Sequence, residues 1–335
     1  MNAISRIMLI LLALTSHYAH ANTPPLIIYT YSSFVSEWGP GPAIKEGFEA
    51  NCTCEIKFVA LEDGAALLNR LQLEGTSSKA DIVLGLDTSL IHEARATKIL
   101  TIHGLPLENY DLTLDWKDDV FIPYDYGHFA FIYDSDTIQS PARSLRELVE
   151  DKEGPRLIIQ DPRTSTPGLG LLLWMRAVFG ESAAEAWTNL APRILTVTAG
   201  WSQAYGLFLE GEAPLVLSYT TSPAYHRHVE MTDRYKAAEF SEGHYTQIEV
   251  AAKLKTSTQQ DLASQFLEFM LSSYVQTLIP TTNWMFPVTK TDEPLPEAFT
   301  NLVTPVRTLL IEPQEVAKYR RQWVMEWLEA LSRSR

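Results

Sequence analysis

This sequence has few cysteines and lacks several common catalytic motifs. Its 335 residues include two cysteines, Cys52 and Cys54, and none of the patterns G-x-S-x-G, H-E-x-x-H or the P-loop. These patterns supply the nucleophile of many hydrolases, the zinc ligands of metalloproteases and the phosphate cradle of nucleotide hydrolases. Their absence favours binding over catalysis, and we expect the protein not to be an enzyme.

Positive charge is also scarce. The chain has 27 lysines and arginines against 41 aspartates and glutamates, which gives a net charge of −14 at pH 7. A surplus of negative charge repels nucleic-acid backbones and anionic lipid surfaces. We therefore expect no nucleic-acid partner, whereas a positively charged ligand is compatible with this composition.

A long apolar run occurs only near the N-terminus. Arg6, the run Ile7–Leu14 and the tripeptide Ala19-His20-Ala21 have the pattern of a cleavable signal peptide over residues 1–21. No later stretch is long enough to span a membrane, and no cysteine follows the cleavage site to carry a lipid anchor. The pattern predicts a free exported protein that begins near Asn22.

The two cysteines leave three alternatives open. In an oxidising compartment Cys52 and Cys54 can close a small disulfide loop, which is the alternative that we favour although its geometry is tight. They can also be two free thiols, or a metal pair, for which nearby histidines are lacking. His226 and His228 are predicted to be a surface pair rather than metal ligands, so no metal site is expected.

Length and pattern both indicate two α/β domains. A chain of 335 residues, 46% of them hydrophobic, can bury two cores. Strands are predicted at Leu26–Tyr31, Glu55–Ala60 and Asp81–Gly85, with helices at Ala43–Ala50 and Ala65–Leu73 between them. This βαβαβ order predicts a mostly parallel sheet with ligand-facing loops at the ends of its strands.

Two further β-rich stretches, Val120–Tyr133 and His244–Lys255, are predicted to cross between the domains. The first of them is too long for one buried strand. The predicted division is a signal peptide at 1–21, a first domain at 22–124 plus about 246–288, and a second domain at 125–245 plus about 289–335.

A strand that turns into a helix is predicted in the middle of the chain. Arg156–Asp161 is the strand, Pro162–Ser165 the turn, Thr166 the N-cap and Pro167 the first helical residue, and Gly180 is placed to end the helix. Such a turn points free backbone N–H groups beyond the end of the strand, where they can bind an anion.

A second unit repeats this construction. Pro214–Ser218 is predicted as a strand, Tyr219–Ser222 as a turn, and Ser222-Pro223 as the cap and first residue of a short helix. The hydroxyls of this turn and those of Ser165 and Thr166 suit a phosphate group. Two hydroxyl-bearing turns predict one small-molecule site built from several loops.

Aromatic side chains gather at the predicted strand ends and loops. Each one alone is as well explained by a core or rim position, but several with polar tips fit a slot for a flat or cationic ligand. These positions are Tyr29, Tyr31, Trp38, Trp201, Tyr219, Tyr225 and Trp284. Asp63 adds a carboxylate that serves as a helix N-cap, as a ligand contact or as both. A ligand with a ring, a positive charge and optionally a phosphate satisfies all of these groups.

Seven longer segments are specific enough to indicate a family. They are YTYSSFVSEWGPGP (Tyr29–Pro42), VALEDGAALLNRL (Val59–Leu71), QDPRTSTPGLGLLLWM (Gln160–Met175), GWSQAYGLFL (Gly200–Leu209), LSYTTSPAY (Leu217–Tyr225), FSEGHY (Phe240–Tyr245) and NWMFP (Asn283–Pro287). By these segments, and by Cys52-Thr53-Cys54, the chain resembles the periplasmic thiamine-binding proteins of bacterial ABC importers, within the type II solute-binding proteins. The resemblance runs over nearly all of the chain after residue 21.

The resemblance implies a type II periplasmic-binding-protein fold, in which two α/β domains joined by crossing strands enclose the ligand cleft. It implies a substrate-binding subunit in the periplasm that captures thiamine, thiamine monophosphate or thiamine diphosphate. It further implies that the domains close on the ligand and deliver it to a membrane permease driven by ATPase subunits. No cofactor is implied.

The resemblance also implies which residues contact the ligand. From the first domain they are Asp63 and Gly64. From the second domain they are Ser165, Thr166, Trp201, Tyr219, Thr220, Thr221 and Ser222. Further cleft aromatics are added at Tyr31, Trp38, Tyr225 and Trp284.

Two other functions stay open at this point. A ferric-ion carrier of similar architecture would pair tyrosinates closely with histidine or carboxylate, whereas threonine, serine and proline separate Tyr219 from Tyr225. A thiamine-degrading enzyme would need a nucleophilic cysteine in the cleft, whereas Cys52 and Cys54 are expected to be paired with each other.

Overall fold

The computed structural model describes residues 24–106, 110–112 and 116–333. The predicted signal peptide at 1–21 lies outside these residues. Within the described ranges, no helix combines the length and the apolar character that crossing a membrane requires.

The first stretch of chain alternates strands and helices, as its pattern predicts. Its elements are β1 (Leu26–Tyr31), α1 (Gly41–Glu49), β2 (Ile56–Leu61), α2 (Gly64–Glu74), β3 (Ile82–Asp87), α3 (Ile91–Ala96) and β4 (Leu100–Thr101). In α2, Leu67, Leu68 and Leu71 are buried along one face. The helix ends where Gly75 adopts a φ of 51°, a left-handed conformation that favours glycine.

The second stretch begins with a long strand and carries the most buried helix. Its elements are β5 (Ile122–Asp134), α4 (Leu145–Glu150), β6 (Leu157–Gln160), α5 (Thr166–Phe179), α6 (Ala183–Leu190), β7 (Ile194–Thr198), α7 (Trp201–Leu209), β8 (Leu215–Tyr219), α8 (Ser222–His228) and β9 (Tyr235–Ala237). Because α5 is apolar nearly all round, it is covered on several sides, by α4, α6 and β10 among others.

The chain then returns through a second long strand to two helices and a C-terminal helix. These elements are β10 (His244–Leu254), α9 (Gln260–Met270), α10 (Ser273–Thr282), β11 (Phe286–Pro287), β12 (Thr308–Leu309) and α11 (Pro313–Arg333). The last helix packs against both α3 and α6, so it contacts both ends of the molecule.

The main strands are ordered β2-β1-β3-β10-β5-β8-β6-β7. At one end β1 runs parallel to β2 and β3, and at the other β6 runs parallel to β7 and β8. In the centre β10 runs antiparallel to β3 and β5, and β5 runs antiparallel to β8. The prediction of a mostly parallel sheet is correct for the two ends and wrong for the centre, where the crossing strands run against their neighbours.

The two predicted crossing strands are β5 and β10. Residues 122–128 of β5 pair with β10, and residues 129–133 pair with β8. The stretch was expected to be too long for one buried strand, but it forms one strand of 13 residues because its two halves have different partners. Since β10 also pairs with β3, the two strands connect the ends of the sheet. The residue boundaries predicted for the two domains remain predictions.

Two helices begin differently from the prediction. Ser165, not Thr166, is the N-cap of α5, because the Thr166 hydroxyl is held by the backbone N–H of Gly64 at 3.0 Å. Thr221, not Ser222, occupies the N-cap position of α8, because the Ser222 hydroxyl is engaged with the end of β8. Both shifts arise from contacts that lie outside the helix concerned.

Cys52 and Cys54 are joined by a disulfide in the loop between α1 and β2. This is the alternative that the sequence favoured among three. Both sulfur atoms are thereby unavailable as free thiols, and the loop lies away from the cavity described below.

Packing around Gly170 gives a first testable prediction. A methyl group at this position in α5 would stand 2.0 Å from a ring carbon of the buried Phe129. We expect Gly170→Ala to destabilise the protein by about 1–3 kcal/mol, because the core cannot absorb the added volume. Thermal unfolding of the ligand-free protein, followed by circular dichroism, measures the effect.

Gly206→Ala, in α7, is the matched control. No atom lies within 4 Å of the added methyl group, so the helix should be unchanged or stabilised by up to about 1 kcal/mol. Similar losses in both variants would contradict the close packing of α5 on β5.

Candidate functional site

A cavity of about 330 Å³ opens where several strand ends and helix starts meet. The loops after β1 and β2 contribute Trp38 and Asp63 to its lining, and the first turns of α5, α7 and α8 contribute Thr166, Trp201 and Ser222. Ligands of open α/β sheets bind at such strand ends. The topology therefore brings segments far apart in sequence to one cavity.

Asp63 joins three of these segments. Its carboxylate oxygen Oδ2 accepts hydrogen bonds from Ser165 Oγ at 2.7 Å and from the backbone N–H of Trp201 at 3.1 Å. It stands at the N-cap position of α2 but makes no capping bond to its own helix. The carboxylate therefore does not cap α2; it links the start of α2 to the starts of α5 and α7. Its role as a ligand contact stays a prediction.

The backbones of α2 and α5 approach closely beside Asp63. The N–H of Gly64 donates to Thr166 Oγ1, and the N–H of Ala66 donates to the carbonyl of Thr164 at 3.1 Å. A Cβ at residue 64 would stand 2.5 Å from the carbonyl oxygen of Gly85. Only glycine permits this approach, so Gly64 here makes a contact between segments.

A row of aromatic rings borders the cavity. Trp201 stacks on Tyr205 with ring centroids 5.0 Å apart, and its edge faces Trp38 at 6.2 Å. The indole N–H of Trp201 donates to Ser218 Oγ at 2.8 Å, which fixes the plane of the ring. Trp38 is 50% exposed, so its ring stands at the mouth of the cavity without a core to hold it.

Trp284 reaches the cavity through an unusual backbone conformation. Its φ is 56°, in the left-handed region that a bulky residue rarely adopts. Its ring meets that of Tyr225 edge-on at 5.4 Å. Strain of this kind is held in place by its surroundings and is concentrated at functional sites.

The junction between β8 and α8 carries four serine and threonine hydroxyls. Ser218 and Ser222 bond to each other at 2.8 Å, and Ser222 Oγ also accepts from the backbone N–H of Tyr219. Thr220 and Thr221 are almost fully buried, yet their hydroxyls have no hydrogen-bond partner in the protein. Thr221 lines the cavity, so its hydroxyl is available to a ligand there.

A hydrogen-bond chain leads from Tyr219 to Glu249 on β10. Tyr219 Oη donates to Gln247 Oε1 at 2.9 Å, and Gln247 Nε2 donates to Glu249 Oε1 at 2.8 Å. The other carboxylate oxygen of Glu249 accepts from the hydroxyls of Tyr31 and Tyr124, both at 2.7 Å. Glu249 is thus an acceptor held by donors from three strands.

Burial shifts the protonation of the carboxyl groups of the site. It raises the pKa of Asp63 to about 7, against the opposing effect of the hydrogen bonds from Ser165 and Trp201. It also raises the pKa of Glu249 to about 7. Asp125 faces Glu249 across the β5–β10 pair, and burial, followed by the charge of Glu249, raises the pKa of Asp125 well above its usual range. Burial and the repulsion between these two carboxyls therefore disfavour ionisation of both at once.

Most of the predicted ligand contacts lie on this cavity. From the first part of the chain the structure places Tyr31, Trp38 and Asp63 there. From the second it places Thr166, Trp201, Tyr219, Thr221, Ser222 and Tyr225 there, and Trp284 joins them. Gly64, Ser165, Thr220 and Tyr29 are not among the lining residues, and the Tyr29 hydroxyl donates to Glu74.

Some cavity residues were not found from the sequence. Gln247 and Glu249 alternate with the apolar Ile248 and Val250, so they share one face of β10, but all eleven residues of this strand are buried. Asn283 belongs to the segment Asn283–Pro287 but is not among the predicted ligand contacts. Its amide donates to Tyr31 Oη at 2.9 Å and to Asp125 Oδ2 at 2.6 Å. The signal available in the sequence was this spacing of Gln247 and Glu249, which puts two polar side chains on one face of the strand.

His226 corrects one prediction. It is fully buried, with its ring nitrogens 2.8 Å from Tyr205 Oη and 2.7 Å from Glu230 Oε2, whereas His228 is exposed. The predicted surface pair is wrong because residues two apart on α8 face different sides. Among the described residues no group of three or more histidine, cysteine, aspartate or glutamate side chains could hold a metal ion.

Comparisons with known proteins agree with this architecture. A family model described as bacterial extracellular solute-binding protein matches residues 37–277. The chain is 59% identical, over 308 residues and 92% of each chain, to a protein of Brucella abortus biovar 1 (strain 9-941) named thiamine-binding periplasmic protein.

Solved structures give the same picture. One described as a periplasmic thiamin binding protein superposes with a TM-score of 0.89 at 54% identity and covers 92% of this chain and 96% of its own. A ferric binding protein from Campylobacter jejuni superposes with a TM-score of 0.76 at 21% identity and covers 91% and 99%. The second likeness shows the fold alone.

The raised pKa of Asp63 predicts a pH dependence of stability. Because the folded-state pKa of about 7 lies above the usual 3.8, protonation favours the folded protein, and this contribution is lost as the pH rises from about 4 through 7. Asp63→Asn does not titrate. We expect the variant to gain stability relative to the wild type between pH 5 and pH 8, by at most about 1.4 kcal/mol per pH unit.

Urea unfolding of both ligand-free proteins at several pH values measures this difference. Asp233→Asn is the control, because Arg227 lowers the pKa of Asp233 and the effect of that substitution should not change over the same range. A pH-independent difference for Asp63→Asn would contradict a buried carboxyl that titrates near neutrality.

Proposed function

The chain belongs to the bacterial extracellular solute-binding protein family, and from this premise we propose that it captures thiamine and its phosphate esters for an ABC importer. The observation that carries the proposal is the character of the cavity wall. Aromatic rings, hydroxyls and buried carboxyls line it, and no lysine, arginine or histidine is present among its described lining residues. The name of the 59% identical Brucella relative supports the same ligand.

The cavity wall contains groups that match both the rings and the positive charge of thiamine. Thiamine carries a flat aminopyrimidine and a positively charged thiazolium ring. Trp201, Tyr225 and Trp284 offer faces and edges on which such rings pack, and a cation over an aromatic face is attracted by it. The buried carboxyls add negative charge that a cation would compensate.

The phosphate group of an ester would bind near the starts of α7 and α8. Thr221 brings a hydroxyl without a partner, and Ser202 and Ser222 bring two more to the lining. The first backbone N–H groups of α7 lie beside them, and helix starts favour anions. Asp63 tolerates a phosphate nearby when it is protonated, which its raised pKa allows near neutral pH.

Transport requires a receptor that changes shape on binding. We propose that two domains close on the ligand about β5 and β10, with the contacts of Asp63 to Ser165 and Trp201 as part of the closed form. The closed form would then dock on a membrane permease whose ATPase subunits drive uptake. The periplasm is the proposed location, in keeping with the names of the relatives and the predicted signal peptide.

The direct test is a calorimetric titration of the ligand-stripped protein with thiamine, followed by its mono- and diphosphate. We expect saturable one-to-one binding, and Trp38→Ala should weaken it by about tenfold or more because a ring at the mouth is lost. Tyr274→Ala is the control, since Tyr274 is about as exposed (48%) but lies outside the cavity.

No heat and no change in tryptophan fluorescence on adding thiamine to folded, empty protein would refute this proposal. A coloured complex with ferric salt would favour an iron carrier, although burial and the charge of Glu249 raise the pKa of Tyr219 well above its usual range and oppose a tyrosinate. Loss of thiamine with time would instead favour a degrading enzyme, although no cysteine is among the described lining residues.

A further prediction concerns the esters. Thr221→Val keeps the shape of the side chain and removes its hydroxyl. We expect it to weaken thiamine monophosphate by about tenfold or more, since hydrogen bonds to charged groups are the strong ones, and to weaken thiamine much less. Equal effects on both ligands, measured by calorimetry, would place the phosphate elsewhere.

A further inference from the structure

Glu249 holds a position in the cleft that no predicted ligand contact includes. Its side chain is 6% exposed and lines the cavity. Hydroxyls of Tyr31 on β1 and Tyr124 on β5, and the amide of Gln247 on β10, all donate to its carboxylate. Three donors from three strands converge on one group, and this arrangement stabilises a negative charge there.

Among the residues that the structure describes, no lysine, arginine or histidine lines the cavity to balance Glu249. The side chains that face it or act on it from the surrounding elements are acidic or neutral: Asp63, Asp87, Tyr124, Asp125, Tyr219 and Asn283. Arg320 on α11 acts on Asp87 but is bound by Glu93 and is not among the lining residues. A buried anion without a cation is costly, so a positively charged ligand in the cavity would lower the free energy of this wall.

Asp63, the other carboxylate among the described lining residues, already has hydrogen-bond partners in the protein. Its Oδ2 is held by Ser165 and by the N–H of Trp201, at the starts of two helices whose partial positive charge favours an anion. Its charge therefore serves the contact between segments. Glu249 also joins strands through Tyr31 and Tyr124, but its partners are neutral hydroxyls and an amide, and no helix start donates to it.

An independent observation indicates that this cavity takes a polar ligand. Thr221 is 1% exposed, lines the cavity, and its hydroxyl has no partner in the protein. Buried hydroxyls are nearly always hydrogen-bonded. The unpartnered hydroxyl of Thr221 and the carboxylate of Glu249 line the same cavity.

We propose that Glu249 is the residue that selects a positively charged ring, because its carboxylate supplies the counter-charge from the sheet side of the cleft. This inference rests on the proposed function and deepens it by assigning the group that reads the ligand's charge. Asp63 then joins the segments of the cleft, and Glu249 discriminates between cationic and neutral ligands of the same shape.

The test compares thiamine with an analogue in which a neutral thiophene ring replaces the thiazolium. We expect the wild-type protein to bind the analogue at least about 30-fold more weakly, since the buried charge is then left without its partner. In Glu249→Gln, which keeps the length and an acceptor oxygen, thiamine should weaken by a similar factor while the analogue changes little. The selectivity of the variant should therefore fall to within about threefold.

Two neighbouring variants serve as controls. Asp125→Asn removes a carboxyl next to Glu249 that is outside the lining, and it should keep the selectivity. Asp63→Asn should weaken both ligands alike. Loss of selectivity in Asp63→Asn but not in Glu249→Gln would overturn the assignment, as would an equal loss of both ligands in Glu249→Gln.

Proton release from the wild-type protein gives a readout that needs no variant. Because burial raises the pKa of Glu249 to about 7, a cation beside it should expel part of a proton at pH 7. Calorimetry in two buffers of different ionisation enthalpy should show more proton release with thiamine than with the neutral analogue. Equal release or equal affinity would overturn this inference alone, whereas failure of thiamine to bind would refute the proposed function as well.

Discussion

The carboxylate of Asp63 can be buried only because two distant segments supply its hydrogen bonds. Ser165 and Trp201 lie 102 and 138 residues further along the chain, and both reach the same oxygen atom. Removing either segment would leave a buried, poorly bonded carboxyl, which is costly. The starts of α5 and α7 are thus held beside the loop after β2, and the cavity between them exists because this contact fixes its edges.

The second constraint comes from the centre of the sheet. β5 and β10 run antiparallel through the molecule and carry Asp125 and Glu249 opposite each other. Burial raises the pKa of both carboxyls, and the charge of Glu249 raises the pKa of Asp125 further, so the pair resists carrying two negative charges at once. Strands that join two parts of a molecule thereby also carry the electrostatic character of the site.

Local patterns were sufficient for much of the fold. Helix α2 lies where the sequence predicts it, and Gly180 ends α5. What local patterns missed depends on partners far away in sequence: the Thr166 hydroxyl is drawn to Gly64, and the cap passes to Ser165. Neither α3 nor α10 was predicted, and α10 contains Pro280, which argues against a helix in any local reading.

The same distinction explains the site. Its hydroxyls and most aromatics stand at the ends of strands and in the first turns of helices, where residue type and position are informative. Glu249 stands in a strand that is buried on both faces, beside a shift in register between Glu249 and Val250, so only the fold shows which way it points. On the proposed function, the two ends of the ligand would meet different groups. Glu249 lies on β10, and the hydroxyls of Ser202, Thr221 and Ser222 lie at the starts of α7 and α8. A ligand with a cationic ring and a phosphate would therefore bind in one orientation, with its ring towards β10 and its phosphate towards α7 and α8.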